Sequence, residues 1–309
     1  MKRLVIGSRG SQLALWQSNY IQSELQRLNP QLSVEILVIK TTGDKISESA
    51  LGGLSGTDKG IFVKEIEEAL RLREVDLAVH SLKDLPTELA PDFTIAAIPA
   101  RADVRDALVA GPGVGHWDQL RPDARIGTSS LRRTVQLRSL CKDFRVEPLR
   151  GNVDTRLRKR REQGLDAVVL AAAGLSRLGF ASQISYLFPP EVMLPAVGQG
   201  ALAIETRAGD ELVIRDLARL EEPTTRACVN AERAFLKRMG GGCQTPMGAY
   251  ASVRDGRGHF SAVVADPAGE KMLRGASEGE ATALERLALE TADDLLARGA
   301  DRILREVQL

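Results

Sequence analysis

The chain has 309 residues, 43% hydrophobic and 27% charged, the composition of a folded water-soluble protein with room for two or three domains. A net charge of +1 argues against a globally basic nucleic-acid binder, and aromatic residues at 4% leave the core to aliphatic side chains. No stretch approaches the roughly 20 apolar residues of a membrane helix, and the apolar run in "MKRLVIGSRG" is too short for a signal peptide, so a cytoplasmic protein without membrane contact is expected.

"RLVIGS" (3–8) reads as a short buried strand, and the segment 11–28 places Leu13, Trp16, Tyr20, Ile21, Leu25 and Leu28 at helical spacing. "SVEILVIK" (33–40) is the next strand. "TTGDKISESALGGLSGTDKG" (41–60) has five glycines and little apolar content, so it reads as a long loop able to close over a neighbouring cleft. "IFVKEIEEALRLRE" is a helix and "DLAVHSLKDLP" (76–86) a strand running into a turn. The alternation predicts a doubly wound α/β domain with a mainly parallel sheet. It restarts after Arg101: strand, polar turn and helix over 124–140, strand and turn over 144–152, helix in "VDTRLRKRREQG", strand in "DAVVLAAAG". The two starts, "VIGSRGS" and "RIGTSSLRR", suggest an internal repeat. From 222 to 238 a helix leads to "MGGGCQTP". β-like alternation follows, with turns at Asp255-Gly256 and Pro267-Ala-Gly269, and then an amphipathic helix over 280–298. The expected division is 1–100 with 200–220 as a first α/β domain, 101–199 as a second, and 221–309 as a small α+β domain with an antiparallel sheet.

Chemistry-bearing residues are sparse. Cys141, Cys228 and Cys243 are far apart and form no Cys-x-x-Cys pair, which disfavours a disulfide framework or a zinc site; His80, His116 and His259 are equally scattered. No metal site is expected. "GPGVGH" lacks the spacing of a dinucleotide fingerprint. Cationic residues are not sparse. Twelve Lys and Arg fall between Arg125 and Arg161 against Asp143, Glu147 and Asp154, so the remainder of the chain is net acidic.

Three readings of that cluster compete. A solvated helix face accounts for Arg158, Lys159, Arg160 and Arg161. Single-stranded nucleic acid also requires stacking aromatics, and only Phe144 is present. A small polyanion fits best, because Arg132, Arg133, Arg150 and Arg156 are placed at turns where strands end, the ligand-binding edge of open α/β sheets. There "GTSSLRR" offers backbone amides, hydroxyls and two planar guanidiniums to one anion, and Arg9 and Ser11 supply a matching wall. Asp84 ends another predicted strand beside Lys83. Alone it reads as a turn aspartate bonding nearby N–H groups; beside the arginines it suits the cationic or N–H-donating part of an anionic ligand. The glycines before Cys243 expose its sulfur, which supports a reactive or modified cysteine against an ordinary loop cysteine.

The motifs "SRGSQLALWQ", "DKGIFVKE", "AVHSLKDLP", "IGTSSLRR", "LRGNVDTRL", "AAAGLSRLG", "LPAVGQGALAIE" and "GGGCQTPMGAY", in this order, resemble those of the porphobilinogen deaminase family, also called hydroxymethylbilane synthases, over nearly the whole chain. The resemblance implies two periplasmic-binding-like domains plus the small C-terminal one. It implies a transferase that joins four porphobilinogen molecules head to tail, releasing ammonia, into the linear tetrapyrrole hydroxymethylbilane. It implies a dipyrromethane cofactor in thioether linkage to Cys243, Asp84 as the catalytic carboxylate, and a monomer that binds no nucleic acid. By the same resemblance Lys83, Ser11, Thr128, Ser130, Arg132, Arg133, Arg150 and Gln199 surround the cofactor. Arg9, Arg156, Arg177 and the loop residue Lys59 meet the growing chain. Gln12 stands where a proline is common and "GTDKG" where Gly-Gly-Lys-Gly is common. The alternative from another class is a two-domain anion-binding module without catalysis, which needs neither the thiol nor a polyanion channel.

Overall fold

Short aliphatic runs separated by amphipathic segments produce three sheets, each with helices packed on it. The computed structural model describes residues 3–41, 63–242 and 245–305; beyond Thr41 the expected loop 41–60 lies outside them. In chain order the elements are β1 (Arg3–Ser8), α1 (Gln12–Leu28), β2 (Ser33–Val38), α2 (Lys64–Arg71), β3 (Leu77–Ser81), β4 (Phe93–Ala97), β5 (Asp106–Ala110), β6 (Arg125–Gly127), α3 (Leu131–Leu140), β7 (Arg145–Glu147), α4 (Val153–Glu162), β8 (Ala167–Ala171), α5 (Ala172–Arg177), β9 (Tyr186–Phe188), β10 (Leu202–Arg207), α6 (Glu211–Leu217), α7 (Pro223–Arg238), β11 (Met247–Arg254), β12 (Arg257–Ala265), β13 (Met272–Glu280), α8 (Leu284–Ala297) and α9 (Ala300–Arg305). They form two compact units, the first of residues 1–102 and 201–226, the second of 103–200 and 227–309.

The first unit holds a five-stranded sheet ordered β2-β1-β3-β10-β4. β1 is parallel to β2 and β3, whereas β10 runs antiparallel to β3 and β4. Leu4, Ile6, Leu77, Val79 and Ile204 pack one face against Ile21 and Leu25 of α1. That helix starts where the Ser11 side chain accepts from the Ala14 N–H at 3.3 Å.

The second unit holds two sheets. Its five-stranded sheet, β7-β6-β8-β5-β9, repeats the plan: β6 is parallel to β7 and β8, and β5 is antiparallel to β8 and β9. Each sheet is therefore mixed, with four strands one way and a single strand reversed. The reversed strand is in each case the first after the chain passes between units. "VIGSRGS" runs out of β1 and "RIGTSSLRR" out of β6, equivalent strands, and even their glycines correspond. A Cβ at Gly7 would meet Val75 at 3.1 Å, and one at Gly127 would meet Leu149 and Leu165 at 2.8 Å. The three-stranded antiparallel sheet β11-β12-β13 turns at Asp255 and Gly256, whose φ values of 51° and 75° are those of a tight hairpin. Phe235, Phe260, Leu287 and Leu295 fill the layer between this sheet and its helices.

Several boundaries differ from expectation, among them the strand expected over 33–40, which ends at Val38, and the helix expected through Glu74, which ends at Arg71. "DAVVLAAAG" is strand only to Ala171, since Ala172 begins α5. The helix expected over 280–298 begins at Leu284, and Gly299, at φ 94°, turns the chain into α9. Gly127→Ala must displace two leucines of a filled core, so it is expected to lower stability by about 1–3 kcal/mol, read as a shift in the urea midpoint at unchanged m-value.

Candidate active site

Because β1 and β3 are parallel, the residues that follow them gather at one edge of the first unit's sheet. Arg9 and Ser11 follow β1; Lys83 and Asp84 follow β3, in a single 3₁₀ turn, Leu82–Asp84. The turn is fixed by its backbone: the Leu82 N–H donates to Ala201 O at 3.0 Å and the Leu85 N–H to Leu82 O at 3.2 Å. Leu82 is buried beneath it, while Asp84 is exposed. Among the described residues no N–H donates to the Asp84 carboxylate and no cation pairs with it, so it does not serve as an ordinary turn aspartate.

The second unit repeats this edge with opposite chemistry. Thr128 and Ser130 follow β6, Arg150 follows β7, and α5, which carries Arg177, follows β8. Arg132 and Arg133 lie in the first turn of α3 and Arg156 in that of α4. This corrects the expectation that they occupy turns, because each helix starts immediately after its loop. A residue that the sequence reading missed stands at the centre. Asp106 opens the reversed strand β5 opposite Ala171, the last residue of β8, which brings its carboxylate to the same edge. It is fully buried. Arg132 Nη1 donates to its Oδ2 at 2.6 Å; Arg133 Nε and Nη2 donate to its Oδ1 at 2.9 and 2.7 Å; Gln199 Nε2 donates to Oδ1 at 2.9 Å. Arg132 also reaches Leu194 O at 2.7 Å and Arg133 reaches Val169 O at 3.1 Å. Burial alone would push the Asp106 carboxyl up, but the charges of Arg132 and Arg133 outweigh it and hold it far below the usual carboxylate range. Burial pulls the Arg133 guanidinium down, with Asp106 opposing. The signal for Asp106 in the sequence is an acid directly before a buried apolar run, "DALVA", in reach of two adjacent arginines.

Arg132, Arg133 and Gln199, expected against the cofactor, are thus buried on an internal carboxylate, and Thr128 is buried with its Oγ1 accepting from the Ser130 N–H at 3.2 Å. Ser130 heads α3 without a side-chain cap bond. Arg150 is exposed and, among the described residues, its guanidinium has no ion-pair partner. Arg156 Nε donates to Gly151 O at 2.7 Å and Arg177 Nη2 to Gly200 O at 2.8 Å. Arg160 departs from the solvated-face reading: its Nε is buried without a partner among the described residues, and burial followed by Arg161 lowers its guanidinium. Guanidiniums, hydroxyls and helix N–H groups around one already neutralised carboxylate suit a ligand bearing several carboxylates. Cys243 and Lys59 lie outside the described residues. Cys228 is buried in the α7 core and Cys141 partly buried. Among the described residues no helix is long and apolar enough to cross a membrane.

Residues 4–215 match the family model described as porphobilinogen deaminase, dipyromethane cofactor binding domain, and residues 226–297 the porphobilinogen deaminase C-terminal domain. A porphobilinogen deaminase of Roseiflexus sp. (strain RS-1) is 50% identical over 301 residues, 97% of this chain and 98% of that protein. One of Thiobacillus denitrificans (strain ATCC 25259 / T1) is 47% identical over 304 residues, 98% of each. Among solved structures, the methionine binding protein MetQ aligns with TM-score 0.46 at 10% identity, covering 71% of this chain and 89% of that one.

Asp106→Asn leaves two arginines buried without their counter-charge, so a loss of about 3–5 kcal/mol in unfolding free energy is expected at neutral pH. Because the folded-state value of Asp106 is depressed, its contribution is full above the unfolded carboxylate range, about pH 4, and is lost as pH falls. The gap between wild type and variant in urea unfolding is therefore expected to narrow on acidification.

Proposed function

The chain belongs to the porphobilinogen deaminase family, and on that premise we propose that Asp84 is its catalytic carboxylate and Cys243 the attachment point of its dipyrromethane cofactor. The enzyme condenses four porphobilinogen molecules head to tail, releasing ammonia, and yields hydroxymethylbilane. The dipyrromethane, when bound, supplies the primer pyrroles on which the chain is built.

The observation that carries the assignment of Asp84 is its exposed carboxylate, without a competing partner among the described residues, on a turn whose backbone is bonded at Leu82 and Leu85. Loss of ammonia from porphobilinogen leaves positive charge conjugated with a pyrrole N–H. A carboxylate held still at that point accepts the N–H and stabilises the charge as it develops, without reorganising. The same group takes and returns protons during deamination and after carbon–carbon bond formation.

Every pyrrole ring brings two carboxylates, so a growing chain accumulates negative charge that only fixed cations relieve. We assign Ser11, Lys83, Thr128, Ser130 and Arg150 to the carboxylates of the primer. Arg132, Arg133 and Gln199 are assigned to the same primer through the second unit's edge, where the two guanidiniums leave one net positive charge after Asp106 is satisfied. Arg9, Arg156, Arg177 and Lys59 are assigned to the incoming and elongated chain. The protein is read as a cytoplasmic monomer that binds no nucleic acid, and residues 221–309 as a third domain carrying Cys243.

Asp84→Asn keeps the shape and removes the charge, so turnover is expected to fall by on the order of 10²-fold or more while intact mass shows the cofactor still attached; turnover near wild type would remove Asp84 from the chemistry. Arg150→Leu is expected to raise KM or stall elongation without changing the urea midpoint, and unchanged pyrrole incorporation would count against its role as a carboxylate ligand.

A further inference from the structure

Since the Asp84 side chain makes no bond of its own among the described residues, its position is inherited from the end of β3, and that end is weakly held by sheet pairing. β1 pairs with β3 only at Leu77 and Ala78. Val79, His80 and Ser81 therefore have one strand neighbour, β10, whose ladder runs from Leu202 opposite Ser81 to Thr206 opposite Leu77. Side chains make up the difference on both faces. On the α1 face Gln17 Nε2 donates to Ser81 Oγ at 2.8 Å. On the α2 face His80 Nε2 lies 3.0 Å from Glu205 Oε2 of β10, with His80 at 8% exposure and Glu205 at 0%. Nothing in the reaction as described uses this pair.

Resting on the reading of Asp84 as catalytic, we propose that His80 and Glu205 are positioning residues for it: together they clamp the run-in to its turn onto β10. A buried carboxylate persists only where it is paired. Glu205 Oε1 is buried and without a partner among the described residues, so the bond to His80 is the one polar tether of this side chain. The surroundings sharpen the dependence. Glu67 of α2 also faces this point, and its carboxyl is pushed up first by burial and then by the charge of Glu205. Arg71, more than His80, offsets the charge on Glu67, so the bond between His80 and Glu205 matters chiefly to the buried Glu205. His80 sits four residues before Asp84, on the strand that sets where that carboxylate points. Displacing a reacting group by about 1 Å costs on the order of 100-fold in rate, so a clamp this close to the turn belongs to catalysis as well as to folding.

The test uses the full-length enzyme carrying its cofactor. His80→Gln and Glu205→Gln, each close to isosteric, are compared with the double variant for kcat, KM, urea midpoint and cofactor mass. The expected result is a fall in kcat of on the order of 10- to 100-fold in either single variant, with KM within about twofold, cofactor retained, and the double variant no worse than the worse single one. Should Glu205→Gln fail to fold, His80→Gln and Glu205→Asp carry the comparison, with partial recovery expected in the latter. A folded, loaded His80→Gln enzyme turning over like wild type while Asp84→Asn is inactive would overturn the clamp and leave Asp84 standing. Additive losses in the double variant would also overturn it, since the two residues would not act as one unit. Normal turnover in Asp84→Asn would overturn both readings.

Discussion

A carboxylate without access to water, gripped by two guanidiniums and an amide, organises the arginine-rich edge of the second unit. Asp106 cannot lose either arginine without becoming an uncompensated buried charge, and neither arginine can be buried without Asp106. That mutual requirement fixes the start of α3 against the reversed strand β5. It draws in Leu194 O and Val169 O as further acceptors and holds the turn that carries Gln199. The cluster keeps one net positive charge. An edge built this way is rigid and cationic before any ligand arrives, which is the preorganised condition that electrostatic binding of a polyanion requires.

The two five-stranded sheets share one strand order and treat their acid in opposite ways. In the second unit the acid at the strand edge is buried and fully bonded. In the first, Asp84 stands exposed on a turn whose backbone is tied to Ala201 and whose supporting strand is braced from both faces, by Gln17 and by the His80–Glu205 pair. Internal bonds neutralise a charge and make it structural; their absence, on a stiff support, leaves a charge available for chemistry. Duplicated architecture thus yields one edge with its acid buried and bonded and one with its acid exposed, from the same sequence of strand, turn and helix.

Most of this plan is readable in the amino-acid sequence because strand ends are punctuated locally. "VIGS" and "RIGT" stop at residues that cannot extend an apolar run, so Arg9, Ser11, Thr128 and Ser130 are legible as edge residues, as is Asp84 before its proline. Asp106 is not, because its place depends on β5 running against β8, and the direction of a pairing between distant segments leaves no local mark. The same gap makes Arg132 and Arg133 read as open ligand forks when they close on an internal acid. His80 and Glu205 are separated by 125 positions and look like isolated polar residues in buried strands until β3 and β10 are placed side by side. Arg160 reads as one more solvated cation in "RKRR", although helix packing buries its Nε.

The cationic edge is proposed to serve a polycarboxylate pyrrole chain tethered to the protein itself. Intact mass of the purified enzyme tests it most directly. An excess over the sequence mass equal to a dipyrromethane adduct is expected, absent in Cys243→Ser, whose activity is lost with it. A fully active enzyme at the bare sequence mass, or an adduct that survives in Cys243→Ser, would contradict the account.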